Sequence, residues 1–414
     1  MKIIDERGKI INLKNEHIEQ SLAEKYIESN DKILELGARY GSVSIVCNKK
    51  LNDSAKNNHY VVEPDSDVWE CLEKNMIDNG CDFNIIHGII GKKKYTLSGK
   101  NYEKISVESS ESDIQSYPLP LVEFDTLIID CEGYLERFYN ENKPLFMGLK
   151  KMIIECDRPD LCDYEYCLKE FKNIGFIIVE EINHYGLKYY VFKRPDYLFC
   201  SLSNRPILSE PMFNMLQIYC DKWKHKCVLE KEVLDNSRAP SWSKIKLLQR
   251  EMKNNPLIPY LVWVDDDILL TNHKTDFSEL IKDYPFAENS GVLVSEDVLW
   301  SPFNCGMIVV KNNEETYKYF DDIWELCEKY PDKKHNGLWE QDIMVIHDKM
   351  VSQMNPNQSY ITKVPHNIIQ SFHRDHTLPK NKKWKAGDFS AHFTGMELEK
   401  RMKYRDEVLK SIIY

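Results

Sequence analysis

The stretch Leu261–Asn272, LVWVDDDILLTN, limits what this chain can fold into more than any other. Four apolar residues, Leu261, Val262, Trp263 and Val264, run straight into Asp265, Asp266 and Asp267, and Ile268, Leu269 and Leu270 follow at once. A continuous apolar run reads as a buried strand of a parallel sheet. Three carboxylates at its carboxyl end are costly to bury unless positive charge meets them. Open α/β sheets bind ligands at the carboxyl ends of their strands. The strand is therefore expected to deliver Asp265 and Asp267 to a divalent cation. Hard oxygen ligands suit Mn²⁺ or Mg²⁺ holding a substrate diphosphate. The plainer alternative is an acidic turn after a core strand, because a D-x-D motif is short.

Upstream, apolar runs alternate with helical patterns. Strands are expected at Ile33–Leu36, Tyr60–Glu63, Asn84–His87, Asp125–Asp130, Lys151–Glu155, Phe176–Val179 and Tyr189–Phe192. Helices are expected over His17–Ser29, from Val43, around Val68–Met76 and over Tyr164–Asn173. Such alternation means a doubly wound parallel sheet. Arg194-Pro195-Asp196 marks a boundary, and a second α/β pattern begins with Tyr197–Leu202. Its helices are expected at Met212–Trp223, Trp242–Met252, Thr316–Tyr330 and Gln341–Met350, with a strand at Asn304–Lys311. A chain of 414 residues favours two domains. The division reads as 1–196 and 197–414, both α/β.

Charge and composition exclude several classes. A net charge of −11 with no basic tract argues against nucleic-acid binding. No run of about 18 apolar residues offers a membrane span. The start, MKIIDERGKIINLKNEHIEQ, lacks the apolar core of a signal peptide. The 12 cysteines are scattered without C-x-x-C spacing, which points to reduced thiols and a cytoplasmic location.

Glu35-x-Gly37-x-x-x-Gly41 sits at an expected strand–turn–helix junction, and Glu63 ends the next strand. Glycines there let the backbone approach a ligand, and a helix N-terminus offers free N–H groups. A carboxylate at the second strand end can accept both hydroxyls of a ribose. The spacing is not that of the dinucleotide fingerprint, and the acid before the first glycine suits S-adenosylmethionine better. Ile33–Ser44, the VVEP of Val61–Pro64, Asn75 and the DTLIIDCEG of Asp125–Gly133 together resemble the FkbM-like methyltransferases. The resemblance implies O-methylation of a sugar or polyketide hydroxyl, with Glu35, Gly37, Ala38 and Gly41 lining the methyl donor and Glu63 holding its ribose. Asp130 and Glu132 could orient or deprotonate a hydroxyl, or hold a cation. Alternatively they cap the helix that starts near Tyr134.

In the second half, His392 in AHFTG is the best candidate to complete a metal set with Asp265 and Asp267. Trp242-x-Lys244, VWVDDDILLTN, NCGMIVVKN, Glu340-Gln341-Asp342 and GDFSAHFTG follow one another in an order that resembles glycosyltransferase family 34. That resemblance implies a GT-A fold and retaining transfer of a hexose or pentose from a nucleotide sugar, UDP- or GDP-linked, to a glycan acceptor. It implies that Asp265, Asp267 and His392 bind the metal and that Gly395 lies against the diphosphate. Asn304 and Gly306 would border the sugar, Gln341 and Asp342 would face donor sugar and acceptor, and Lys244 would belong to the substrate site. Glu340 and Asp342 are equally plausible as helix-start charges. His366, His373 and His376 could form a zinc site, but their context favours solvent-exposed side chains.

The expectation is thus a bifunctional enzyme, a Rossmann-like methyltransferase sheet followed by a GT-A fold. Its rivals are a protein with one active domain and one glycan-binding or scaffold module, and a nucleic-acid methyltransferase.

Overall fold

The computed structural model describes residues 1–12, 16–99, 104–298, 301–355, 359–373 and 383–412. It divides into two compact units, Met1–Arg194 and Pro195–Tyr414. Among the described residues, no helix is long and apolar enough to cross a membrane.

The first unit opens with α1 (His17–Tyr26), β1 (Ile33–Leu36), α2 (Ser42–Lys50), β2 (His59–Glu63), α3 (Trp69–Asp78) and β3 (Asn84–His87). It continues with β4 (Thr126–Ile129), α4 (Leu135–Glu141), β5 (Lys151–Cys156), α5 (Tyr164–Asn173), β6 (Ile177–His184) and β7 (Leu187–Lys193). The sheet runs β3-β2-β1-β4-β5-β7-β6. Strands β1 to β5 are parallel throughout. The order in which successive strands are added reverses between β1 and β4, so their carboxyl ends open a crevice at the switch point. Both central strands are buried along their whole length, with apolar clusters packed on either face. This is the Rossmann-like sheet expected, with one correction. Strand β7 runs antiparallel to both β5 and β6. Tyr185 and Gly186 join β6 to β7, with φ of 49° and 92°, and a two-residue turn of that hand makes a hairpin, never a parallel crossover. A second difference lies between β3 and β4. There Ile105–Glu108 pairs with Tyr95–Ser98, and Ser116–Tyr117 with Ile89–Ile90, so strands enter both ends of Ser106–Ser116, whose sequence SVESSESDIQS reads as a polar loop.

The second unit contains β8 (Tyr197–Leu202), α6 (Pro206–Trp223), β9 (Lys226–Glu230), α7 (Ser243–Asn254), β10 (Tyr260–Val264), β11 (Ile268–Leu270), β12 (Val292–Ser295) and β13 (Asn304–Lys311). It ends with α8 (Glu314–Leu326), α9 (Glu340–Met354), β14 (Ile361–Val364), β15 (Ser371–Phe372), β16 (Ser390–His392) and α10 (Leu398–Leu409). The main sheet runs β9-β8-β10-β13-β12-β14, and a small one runs β11-β16-β15. The Asp-rich run is therefore two strands in two sheets. Strand β10 lies parallel to β8 but antiparallel to β13, so the expectation of an all-parallel setting is corrected. Both flanks of β10 are covered all the same, which is what its unbroken apolar run demands. Helix α6 begins six residues before Met212: Pro206 stands at its start, where the missing N–H costs nothing.

One glycine fixes how tightly β1 and β4 converge. Gly37 has φ of 87°, and a Cβ there would stand 1.5 Å from the carbonyl oxygen of Asp130. Gly37→Ala is expected to destabilise the first unit by at least about 2 kcal/mol, from backbone strain plus a backbone clash. Thermal or urea unfolding measures it; a wild-type midpoint would show that the two strand ends separate freely.

Candidate functional site

In the second unit, backbone bonds hold the Asp265–Asp267 turn. The Asp265 N–H donates to Gly306 O at 2.7 Å, the Ile268 N–H to Asp265 O at 3.0 Å, and the Phe393 N–H to Asp267 O at 3.0 Å. The three carboxylates then take separate environments. Asp265 Oδ1 accepts from Trp263 Nε1 at 2.6 Å and lies 3.1 Å from Lys244 Nζ. Asp266 turns away to Ser203 and to a two-point contact with Arg205. Asp267 meets His392 Nε2 at 3.2 Å and Arg401 Nη1 at 3.0 Å. One ligand atom each from Asp265, Asp267 and His392 lies within 4.8 Å of the others. Burial pushes the Asp267 carboxyl up, but His392 and Arg401 outweigh it and hold the group at about 2.

His392 reaches this place because its strand pairs with β11 in a register that sets Ile268 against His392. Gly306 leaves room for the ring: a Cβ there would stand 2.4 Å from His392 Cε1. Gly306 thus abuts the imidazole. Its N–H donates to Asn304 Oδ1 at 2.8 Å, and Gln370 Nε2 donates to the same oxygen at 2.9 Å. Gln341 Oε1 accepts from the Cys305 N–H at 2.8 Å. Around these contacts, four buried polar atoms have no hydrogen-bond partner among the described residues: Glu340 Oε2, Gln341 Nε2, Gln370 Oε1 and His392 Nδ1.

Other residues singled out in the sequence are committed to the frame. Lys244 is buried, its ammonium shared among Cys305 O, Glu340 and Asp265. Burial lowers its pKa, but the two carboxylates outweigh this and raise it. Asp342 accepts from the Leu338 N–H at 3.1 Å and pairs with Lys333 at 3.0 Å, at the start of α9. Gly395 has a left-handed backbone, φ of 61°, just beyond β16. His366 is buried against Phe372, so the expectation of solvent-exposed histidines is corrected there. His373 and His366 join no cluster of three ligating side chains among the described residues, and His376 lies outside them. Sequence reading missed Arg205, Gln370 and Arg401.

In the first unit, a cavity of about 670 Å³ opens at the carboxyl ends of the central strands. Gly37, Glu63, Asp130 and Glu132 line it. Glu35 and Ala38 line a small adjoining space, where Glu35 accepts from Ser44 Oγ at 2.9 Å and lies 3.6 Å from His59 Nε2. Gly41 instead shapes the entry to α2, packed on Leu72. Glu63 receives the N–H groups of Arg39 and Asp65 at 2.6 and 2.7 Å, yet burial outweighs them and pushes its carboxyl up to about 7. Burial also raises Asp130, with Asp157 adding to it, and lifts Glu132 to about 7. Neither caps α4, whose start carries no side-chain cap. The cavity also holds Glu19, Glu155 and Asp157, which sequence reading did not single out.

Comparison with known proteins adds to this geometry. Residues 203–286 match the model of the galactosyl transferase GMA12/MNN10 family. The chain is similar to a probable alpha-1,2-galactosyltransferase of Schizosaccharomyces pombe, 22% identical over 208 residues, covering 41% of this chain and 59% of that protein. The chain thus spans under two thirds of the length of that relative. A glycosyltransferase involved in glycosylation of the major capsid of PBCV-1 aligns over 51% of this chain and 98% of its own, with 13% identity and a TM-score of 0.40. A ribosomal protein L11 methylase from Lactobacillus delbrueckii subsp. bulgaricus aligns over 44% of this chain and 80% of its own, with 15% identity and a TM-score of 0.30.

Two outcomes follow from the geometry. Gly306→Ala should displace the His392 ring and weaken Mn²⁺ binding by about tenfold or more, as loss of a positioned ligand does; isothermal titration with Mn²⁺ reads it, and wild-type affinity would show that the ring is free to move. Glu63 supplies a pH effect. Its folded-state pKa lies above the unfolded value, so stability is full below about 4.5, falls as pH rises toward 7, and then levels. Glu63→Gln should flatten that decline by up to about 3 kcal/mol in urea unfolding across this range.

Proposed function

We propose that the second unit is a metal-dependent retaining glycosyltransferase, taking a hexose or pentose from a nucleotide-diphosphate sugar, UDP- or GDP-linked, to a glycan acceptor. We infer a second activity for the first unit, transfer of a methyl group from S-adenosylmethionine to a sugar hydroxyl. The observation that carries the first reading is the convergence of Asp265, Asp267 and His392 from two distant segments, inside and beyond the stretch that matches the galactosyl transferase family.

The donor set fits Mn²⁺ or Mg²⁺: two carboxylates, one imidazole, and an Asp267 that already draws the Arg401 guanidinium. When bound, such a cation neutralises the charge that grows on the departing diphosphate. The chain's own residues do the rest. Trp263 and Lys244 hold Asp265 by one oxygen. Gln341 Nε2 and Gln370 Oε1 are an unused donor and an unused acceptor, of the kind that sugar hydroxyls could satisfy. Asn304 spends its oxygen on Gly306 and Gln370 and so positions both. Arg205 and Arg401 bring positive charge to the rim of the acidic turn.

For the methyl donor, the fit rests on the cavity and on Gly37, whose absent side chain lets the β1 turn approach a ligand. Glu63 keeps unused lone pairs beside its two backbone bonds, enough for a ribose diol. S-adenosylmethionine supplies an electrophilic methyl group. Asp130, half-buried and lining the cavity, would take the proton of the accepting hydroxyl at its carboxylate.

Purified protein should hydrolyse a nucleotide sugar only with Mn²⁺ or Mg²⁺ present, and a screen of such donors tests this. Asp267→Ala and His392→Ala should each cost about a hundredfold or more in that activity. Near-normal turnover by either variant removes that residue from the ligand set. Glu63→Ala should weaken S-adenosylmethionine binding by about 1–3 kcal/mol, the range for hydrogen bonds to a charged group, and titration of the donor reads this independently.

A further inference from the structure

The cavity of the first unit is crowded with acid. Eight carboxylates line it against three cationic side chains. Three of the acids, Glu19, Asp130 and Glu155, bring one oxygen each within 4.8 Å of the others. They come from three separate elements: Glu19 from α1, Asp130 from just after β4, and Glu155 from near the end of β5. Glu19 is only 6% exposed, and its Oε2 has no hydrogen-bond partner. Tyr189, itself buried, donates to Glu155 Oε1 at 3.1 Å, which fixes that side chain.

A structural acid elsewhere in this unit is matched. Asp31 is as buried as Glu19, and Lys151 Nζ stands 2.7 Å away, also bonded to Tyr26 O at 2.8 Å. An orphaned buried carboxylate oxygen costs free energy and calls for an occupant. Among the described residues, these three carboxylates converge at the cavity where a ligand would sit, beside the carboxyl ends of adjacent strands.

We propose that Glu19, Asp130 and Glu155 hold a second hard divalent cation, of the Mg²⁺ or Mn²⁺ class, inside this cavity. All-oxygen donors select such ions, and a carboxylate hydrogen-bonded by a neighbouring phenol is a well-oriented ligand. The free side of the ion faces the cavity, where it would hold hydroxyl oxygens of a polyol substrate. That role rests on the methyl-transfer reading above; the site itself does not.

The test is Mn²⁺ binding by electron paramagnetic resonance titration of the full chain, which needs neither sugar nor methyl donor. Wild type should bind two Mn²⁺. The variant Asp267→Ala/His392→Ala, which removes the ligands of the other unit, should bind one. Adding Glu19→Gln and Glu155→Gln should remove that remaining ion, and adding Asp130→Asn in their place should do the same. In metal-free buffer the glutamine variant should unfold at or above the temperature of its parent, because relieving carboxylate crowding removes repulsion. The proposal is overturned if the Asp267→Ala/His392→Ala protein binds no Mn²⁺, or if its Mn²⁺ persists through the Glu19, Glu155 and Asp130 substitutions. A failure of glycosyl or methyl transfer would leave this titration unchanged.

Discussion

The second unit depends on a buried ammonium. Lys244 Nζ lies 2.7 Å from both Cys305 O and Glu340 Oε1, and 3.1 Å from Asp265 Oδ1. Taking that charge out of water is expensive, and only close anionic partners offset it. The contact joins α7, the end of β10, β13 and the start of α9, the four elements around the acidic turn. Asp265 is therefore held on one side before any ligand arrives, with Trp263 Nε1 bonded to the same oxygen. Loss of the ammonium would leave Glu340 buried without its cation and Asp265 held by Trp263 alone. Lys244 reaches the acidic turn through Asp265 and is itself shut off from solvent.

The same electrostatics explain what was legible in the sequence. Strand β10 is a short unbroken apolar run, and β1 and β4 are nearly so, with only Glu35 and Thr126 polar; such runs suit strands covered on both sides. The Asp265–Asp267 spacing was readable because both acids leave one turn. His392 was reached through resemblance; a lone histidine between apolar neighbours carries little local signal. Arg401, Gln370, Glu19 and Glu155 were not legible at all. Glu19 reads as one more charge on an amphipathic helix and Glu155 as a strand-end acid; only the fold shows them facing one another. The β6–β7 hairpin did have a signal, Tyr185-Gly186, but the strand–helix alternation before it suggested one more parallel strand. Lys244 stood out as a substrate contact, and nothing local announces that its partners lie 21, 61 and 96 positions onward.

Acid is handled in opposite ways in the two units. Asp267 is as enclosed as the carboxylates around Asp130, but imidazole and guanidinium hold it at about 2. Glu155 is pushed to about 11 by burial first and then by Asp130 and Glu19. Residue type is shared between the sites, so it cannot be what sets their chemistry. The neighbours that topology supplies decide whether a buried carboxylate stands ionised or holds a proton.

The smallest elements carry the tightest constraint. Strand β11 has three residues and β16 has three, yet their pairing alone aligns Ile268 with His392 and Leu269 with Ala391. Side chains alternate faces along a strand, so a slip of one residue would turn the imidazole away from Asp267. Two features resist that slip. The Phe393 N–H is fastened to Asp267 O, and the Thr271 N–H to Phe389 O, clamping both ends of the pair. Leu269 and Ala391 then bury together with Leu208, Met212 and Phe393, on the face of the small sheet opposite the imidazole. The apolar residues that follow the three aspartates are therefore as much a part of the site as the aspartates themselves: they fix the register that returns a histidine from near the end of the chain.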